Sequence, residues 1–283
     1  MKFKNKISVI MAVYKEPKKY LRKSIESILN QTFKDFEFII ILDNPNNEKA
    51  EHIIKEYQAK DERIIFIKNE ENLGLAGSLN KSIEIAKGKY IARMDADDIS
   101  FPKRLEKQFK HMKDNSVDLL FSWVYFIDKK GDIIKEFKPS KEKVNNLKKY
   151  FFKEHLLVHP TLFCKSKILK NNFYDKNQKK SQDFELWIRL MKKDFKFDVI
   201  EEFLLKYRIP SKNLLEERIK KVRDYNFWTL KALKKNFKES KNLDSFYKFY
   251  IKKIFLYFFL KLPEKFIKYS IIIKDKFKNE FKI

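Results

Sequence analysis

Gly88-Lys89-Tyr90-Ile91-Ala92-Arg93-Met94-Asp95-Ala96-Asp97-Asp98 is the stretch that decides the fold. Its apolar run, Tyr90 to Ala92, reads as a buried strand that empties into three carboxylates within four residues. A strand ending in an Asp-x-Asp turn sets hard oxygen donors at the carboxyl edge of a sheet, where open α/β folds bind their ligands. Carboxylates one residue apart suit Mg²⁺ or Mn²⁺, which take few protein oxygens and share the rest of their shell with substrate phosphates. Alone, such a turn serves equally well as a polar cap for the helix that begins near Pro102. The neighbouring segments decide between the two.

On both sides of this stretch, strand-like and helix-like patterns alternate through the first 120 residues. Strands are expected at Ile7–Met11, Phe36–Leu42, Ile64–Ile67 and Tyr90–Ala92, and helices at Tyr20–Leu29, Ala50–Tyr57 and Leu75–Ala86. Phe36–Leu42 is nearly all apolar, the mark of a strand covered on both faces. Such alternation predicts a parallel sheet with right-handed crossovers. After Pro102 the order loosens into a strand at Val117–Phe121 and a hairpin over Trp123–Phe137, turning at Lys129-Lys130-Gly131. A helix at Asp183–Met191 and a strand at Phe203–Ile209 follow, and beyond Pro210 only helical patterns remain. The expected organisation is an α/β domain over residues 1–210 and a basic, aromatic-rich helical extension over 211–283.

Four strand or loop ends carry candidate chemistry. The first strand runs out at Ala12-Val13-Tyr14-Lys15-Glu16, where a Tyr is placed to stack on a nucleobase. The second ends at Leu42-Asp43-Asn44, and an ionised Asp accepts an imide N–H or a ribose hydroxyl. Asn72-Leu73-Gly74-Leu75-Ala76-Gly77-Ser78 opens a helix with small residues, whose first N–H groups are placed to face phosphate. The fourth end is the acidic turn. Each has a plain alternative: Tyr14 as a rim aromatic, Asp43 as the start of an Asx turn, and the glycine stretch as an ordinary loop-to-helix junction. Together, they describe a nucleoside-diphosphate site.

These residues give the chain a resemblance to the family 2 glycosyltransferases of the GT-A fold, from Ile7 to about Arg208. Ile7-Ser8-Val9-Ile10-Met11-Ala12-Val13-Tyr14 looks like that family's opening strand, and Ser27-Ile28-Leu29-Asn30-Gln31-Thr32-Phe33 like the helix and turn after it. The longest match runs from Asn72 through Asp98 and continues with Pro102 and Arg104. The resemblance implies a mainly parallel GT-A sheet flanked by helices. It implies inverting, Mg²⁺- or Mn²⁺-dependent transfer of a sugar from a nucleotide-diphosphate donor, UDP foremost. The acceptor would be a hydroxyl of a growing glycan such as lipopolysaccharide or capsule, often lipid-linked. Ala12, Tyr14, Glu16, Asp43, Asn72, Ser78 and Asp95 form the implied nucleotide-binding set, and Asp97 with Asp95 the metal set. Ser181-Gln182-Asp183-Phe184-Glu185-Leu186-Trp187-Ile188-Arg189 looks like the motif that carries the catalytic base, here Asp183. His159, Trp187 and Arg189 fall on the acceptor side. Two departures stand out: Gln182 occupies a commonly acidic position, so Asp183 would rely on burial or Glu185 for basicity. Pro210 stands where a His often follows the closing strand.

The net charge of +25 over 283 residues raises a nucleic-acid alternative. That reading predicts salt-sensitive binding but gives no reason for Asp43, Asp95 and Asp97 to sit at strand ends, and no nucleic-acid motif is present. A nucleotidyltransferase would normally show a glycine-rich basic loop after its first strand, where this chain has Tyr14-Lys15-Glu16-Pro17. An inactive relative is the third alternative, motivated by Gln182. The lone Cys164 excludes an intramolecular disulfide and fits a reducing compartment. Ile7–Val13 is too short for a signal peptide, and Ile251–Leu262 is interrupted by Lys252, Lys253 and Lys261. Residues 211–283 hold 20 Lys/Arg against 8 Asp/Glu. Tyr247, Tyr250, Ile251, Ile254, Tyr257 and Phe258 recur there at helical spacing, with lysines mostly on other faces. Such a helix is expected to lie on an anionic membrane surface at the cytoplasmic face, or else to pack on the catalytic domain.

Overall fold

Alternate residues of a strand point to opposite faces, and in the first strands both sets are apolar, so helices cover the sheet on both sides. The computed structural model describes residues 6–209, 215–240, 245–259 and 261–262. β1 (Ile7–Val13), α1 (Lys18–Leu29), β2 (Phe36–Leu42), α2 (Glu48–Gln58), β3 (Ile64–Lys68), α3 (Gly74–Ile85) and β4 (Tyr90–Asp95) alternate as expected. β5 (Ile99–Ser100), α4 (Arg104–Asp114), β6 (Leu119–Ile127) and β7 (Ile133–Phe137) come next, followed by α5 (Lys141–Asn145) and α6 (Leu147–Tyr150). β8 (Phe163–Lys165), α7 (Ser166–Lys170), α8 (Gln182–Lys192) and β9 (Phe197–Arg208) complete the sheet region. The helices α9 (Leu215–Lys235), α10 (Phe237–Ser240) and α11 (Phe246–Phe259) close the described chain.

One sheet runs in the order β3-β2-β1-β4-β8-β6-β9-β5, with β7 paired to β6. The first four positions are parallel, as the alternation predicts. The second half is mixed: β8 is antiparallel to both β4 and β6, β9 is parallel to β6, and β5 is antiparallel to β9. Val9, Met11, Phe38, Ile40 and Met94 meet α1, α2 and α4 in one core. Ile10, Ile39, Ile41 and Ile91 meet α3, α7 and α8 in the other. The extension joins this second core through Leu233 and Phe246. The anticipated boundary at residue 210, with Pro210 itself, lies outside the described residues. Among those described, no helix is long and apolar enough to cross a membrane.

Entry into β4 is fixed by a buried polar knot. The hydroxyl of Ser8 on β1 donates to Glu37 of β2 at 2.6 Å, and the Lys87 N–H donates to the same oxygen at 2.6 Å. The Gly88 N–H donates to the Ser8 hydroxyl at 2.8 Å. A Cβ on Gly88 would lie 2.4 Å from the Ser8 nitrogen and 2.6 Å from the Ile7 carbonyl carbon, both backbone atoms. Gly88→Ala is therefore expected to cost about 1–3 kcal/mol, read as a fall in melting temperature of about 2–12 °C. An unchanged melt would contradict this account of how β4 is seated.

Candidate functional site

In the parallel half of the sheet β1 lies between β2 and β4, the place where strand order reverses. Ligands of open α/β sheets bind at that crevice, beyond the carboxyl ends of the strands. Ala12 stands in register with Ile41 on one side and Asp95 on the other. The two-residue period puts Ala12, Asp43 and Asp95 on one face of the sheet, the α3 side. Ala12 forms a low floor between the two acids. The Tyr14 ring is 39% exposed at the rim, and its N–H donates to Glu16 Oε2 at 2.8 Å.

Asp43 is buried and held by three donors that all converge on Oδ1: Asn69 Nδ2 at 2.9 Å, the Leu73 N–H at 2.8 Å and the Ser78 hydroxyl at 2.8 Å. Lys81 fixes Asn69 in turn, donating to its Oδ1 at 3.0 Å. Among the described residues Oδ2 takes no bond, so Asp43 presents one oxygen with a locked orientation. Two N–H groups of the helix start are taken up in holding this corner together. The Leu73 N–H is engaged by Asp43, and the Gly74 N–H donates to Asn72 Oδ1 at 2.9 Å. Gly74 adopts φ of +73°, which favours glycine. Asn72 caps the turn, and buried Ser78 braces Asp43 from behind.

The acidic turn is crowded and partly buried. Carboxylate oxygens of Asp95, Asp97 and Asp98 lie within 4.8 Å of one another. Asp98 is fully buried, and its Oδ1 accepts the Arg208 N–H at 2.7 Å while its Oδ2 has no partner among the described residues. Arg208 also donates from Nε to the Asp97 carbonyl at 2.9 Å. Ser24 donates to the Asp95 carbonyl at 2.7 Å, and Arg93 binds the Asp95 carboxylate. Buried Arg104 donates to the carbonyls of Arg93 at 2.7 Å and Pro160 at 2.9 Å, pinning the end of β4. Burial, then the charges of Asp95 and Glu16, push the Asp97 carboxyl up to about 7. Burial, then Asp95 and Asp97, raise Asp98 well above the usual range, and burial raises Glu16, with Asp95 adding to it. Carboxylates whose negative charge is under-compensated, one with a partnerless buried oxygen, fit a hard divalent cation.

Asp183 lies in the first turn of α8, after Ser181 in the left-handed conformation. It lines a cavity of about 410 Å³ between α8, the segment after α6, and helices α9 and α11. Tyr174 is buried on this side, and burial pushes its hydroxyl well up, with the charges of Arg93, Asp183 and Asp95 acting on it to a smaller extent. His159 Nε2 pairs with that hydroxyl at 2.7 Å. Burial and the Arg93 charge hold the imidazole well below its ordinary range, so it is neutral. His159 thus sits behind the cleft. Trp187 is also buried, edge-on to Phe121 with ring centroids 5.4 Å apart, and it forms one wall of the cavity. Arg189 is engaged by Glu185 at 2.9 Å and by the Phe173 carbonyl at 2.7 Å, and so braces α8. Glu185 is compensated by that pair, so it supplies Asp183 with no bare like charge. Asn69, Tyr174 and Arg208 were not singled out from the sequence as site residues. Asn69 follows the end of β3 as Asp43 follows β2, a position that repeats the pattern.

Residues 8–173 match the family model described as glycosyl transferase family 2. An uncharacterized glycosyltransferase of Methanocaldococcus jannaschii is 60% identical over 272 residues, covering 95% of this chain and 94% of that protein. The O-antigen biosynthesis glycosyltransferase WbnJ of Escherichia coli is 38% identical over 211 residues, 73% of this chain and 81% of WbnJ. Among solved structures, S. aureus TarS 1–349 in complex with UDP-GlcNAc gives a TM-score of 0.65 at 17% identity, over 89% of this chain and 72% of that one. The mannosyltransferase PcManGT of Pyrobaculum calidifontis, in complex with GDP-Man and Mn²⁺, gives 0.62 at 14% identity, over 81% and 64%. At such identities the structures establish the fold alone, which is GT-A-like. The sequence match and the relatives establish more: the chain is a glycosyltransferase and belongs to glycosyl transferase family 2.

Proposed function

We propose that the protein transfers a sugar, with inversion, from a nucleotide-diphosphate donor to a hydroxyl of a growing surface glycan such as lipopolysaccharide or capsule, with Mg²⁺ or Mn²⁺ at Asp97 and Asp95. One observation carries this reading: the locked Asp43 and the under-compensated acidic turn open on the same sheet edge, with only β1 between them. Tyr14 and Asp43 would hold the base and ribose, UDP foremost, and the small Ala12 leaves them room. UDP-GlcNAc bound to TarS and GDP-Man with Mn²⁺ bound to PcManGT support a nucleotide-sugar donor, and the O-antigen role in WbnJ's name supports a surface-glycan acceptor. When bound, the cation would neutralise charge growing on the donor's β-phosphate.

Asp183 takes the acceptor proton. The acceptor oxygen bonds to the anomeric carbon from the face opposite the diphosphate, the C–O bond to phosphate breaks, and the nucleoside diphosphate leaves with those electrons. Residues 1–210 carry this chemistry in our reading. Asp183→Asn should lower kcat for radiolabelled sugar transfer to a membrane extract by about 10²–10⁴-fold and leave donor affinity unchanged. Transfer at the wild-type rate would remove Asp183 from the reaction.

The same reading places the enzyme on the cytoplasmic face of a membrane. The outward side of α11 carries Tyr247, Ile251, Phe255 and Phe258, with Ile251 64% and Phe255 72% exposed. Lys248 and Lys252 form the exposed row beside them. An apolar stripe flanked by cations suits an anionic lipid surface. The protein is expected to float with phosphatidylglycerol vesicles but not with phosphatidylcholine vesicles, and Ile251→Glu with Phe255→Glu should release it. Equal recovery with both lipids would contradict the membrane placement.

A further inference from the structure

The segment from Asp175 to Ser181, which leads the chain into α8, is laid along α9 of the extension in antiparallel order. Asp175 pairs with Lys235 at 2.6 Å, and the Asn177 carbonyl accepts from Lys231 Nζ at 3.1 Å. Gln178 Nε2 donates to the Trp228 carbonyl at 2.7 Å, and Lys180 pairs with Asp224 at 2.6 Å. Residues 224, 228, 231 and 235 follow the i, i+4, i+7, i+11 spacing of a single helix stripe. The charges match along it: acidic Asp175 meets basic Lys235 at one end, and basic Lys180 meets acidic Asp224 at the other.

Ser181 ends the segment at φ +54°, a left-handed conformation that a residue with a Cβ seldom adopts, and the turn that follows carries Asp183. The Thr229 hydroxyl gives its one proton to the Tyr225 carbonyl at 2.7 Å. In its 3.4 Å contact with Ser181 the serine is therefore the donor, and α9 supplies the acceptor. Buried Gln178 donates from Nε2 to the Lys180 carbonyl at 2.8 Å as well as to Trp228, which uses both amide hydrogens. It ties the segment to itself and to α9 at once. Beyond the end of α9, Asn236 donates to Glu185 Oε1 at 3.2 Å, two residues past Asp183. We propose that α9 is a splint that aims the base of the transfer reaction, with Gln178 as its positioning residue. The inference rests on the assignment of Asp183 above. It adds that the extension, outside the unit that carries the chemistry, sets where that carboxylate points.

Gln178→Met keeps the side chain's length and removes both donors, so hydrogen exchange and a double-mutant cycle on the full chain test the splint. Amide exchange across residues 175–186 should quicken about tenfold, while exchange in β1 and β2 stays as in wild type. In radiolabelled sugar transfer to a membrane extract, kcat should fall about 10–10²-fold with the donor KM unchanged. In an Asp183→Asn background the same substitution should lower kcat no further, because it acts through that carboxylate. Thr229→Val, on α9 itself, should reproduce this pattern and serves if Gln178→Met does not fold. Lys234→Met, on the exposed side of α9, should keep the wild-type rate. Unchanged exchange or unchanged kcat in Gln178→Met would overturn the splint. So would an equal fall in Lys234→Met or in the Asp183→Asn background, the mark of general destabilisation. Asp183→Asn working at the wild-type rate would instead overturn the base assignment beneath it.

Discussion

The carboxylate of Asp98 accepts the main-chain N–H of Arg208, 110 positions further along the chain. The rest of the site depends on this bond. It joins the acidic turn at the end of the parallel half-sheet to the last strand of the mixed half. Four carboxylates, Glu16, Asp95, Asp97 and Asp98, crowd one sheet edge and repel one another, so the fold must hold them by other means. The Arg208 Nε, the Ser24 hydroxyl and the Arg104 guanidinium all donate to main-chain carbonyls of this region. They fix the turn's shape without neutralising Asp97. In the proposed function a bound cation would share this negative charge and make the crowding tolerable.

Much of this was legible in the sequence. The parallel register carries Ala12 opposite Asp95, and Val13 opposite Leu42, just before Asp43. Once the strands were read from periodicity, the residues after them had to converge. What the pattern could not show is which donor satisfies which acceptor. The first N–H groups of the α3 start were read as placed to face phosphate, and spacing alone did not show that those of Leu73 and Gly74 donate to Asp43 and Asn72. Arg189 was expected on the acceptor side, and its pairing with Glu185, one helical turn earlier, was not read from the spacing. The grip of Arg208 on the acidic turn is a contact between distant segments, which local spacing does not encode.

The extension has two faces with different chemistry. Its inward side, through Leu233 and Phe246, shares the second core and closes the cavity next to Asp183. Its outward side leaves a row of large apolar residues in solvent with lysines alongside. Packing and membrane contact looked like alternatives in the sequence. In the structure the packed residues and the exposed apolar row occupy opposite sides of one helix, so the two readings do not exclude each other.

The central claim is that the edge between Asp43 and Asp97 holds a nucleoside diphosphate through a divalent cation. Calorimetric titration of UDP, GDP, dTDP and CMP with Mn²⁺ and then with EDTA, at pH 7.5 and pH 5.5, tests it most directly. The account predicts one preferred nucleotide whose binding needs Mn²⁺ and is lost in Asp97→Ala. Binding should also weaken at the lower pH, because burial and the charges of Asp95 and Glu16 push the Asp97 carboxyl up to about 7 and it must lose its proton to ligate. Equal binding in EDTA, or no binding of any nucleotide by folded protein, would contradict it.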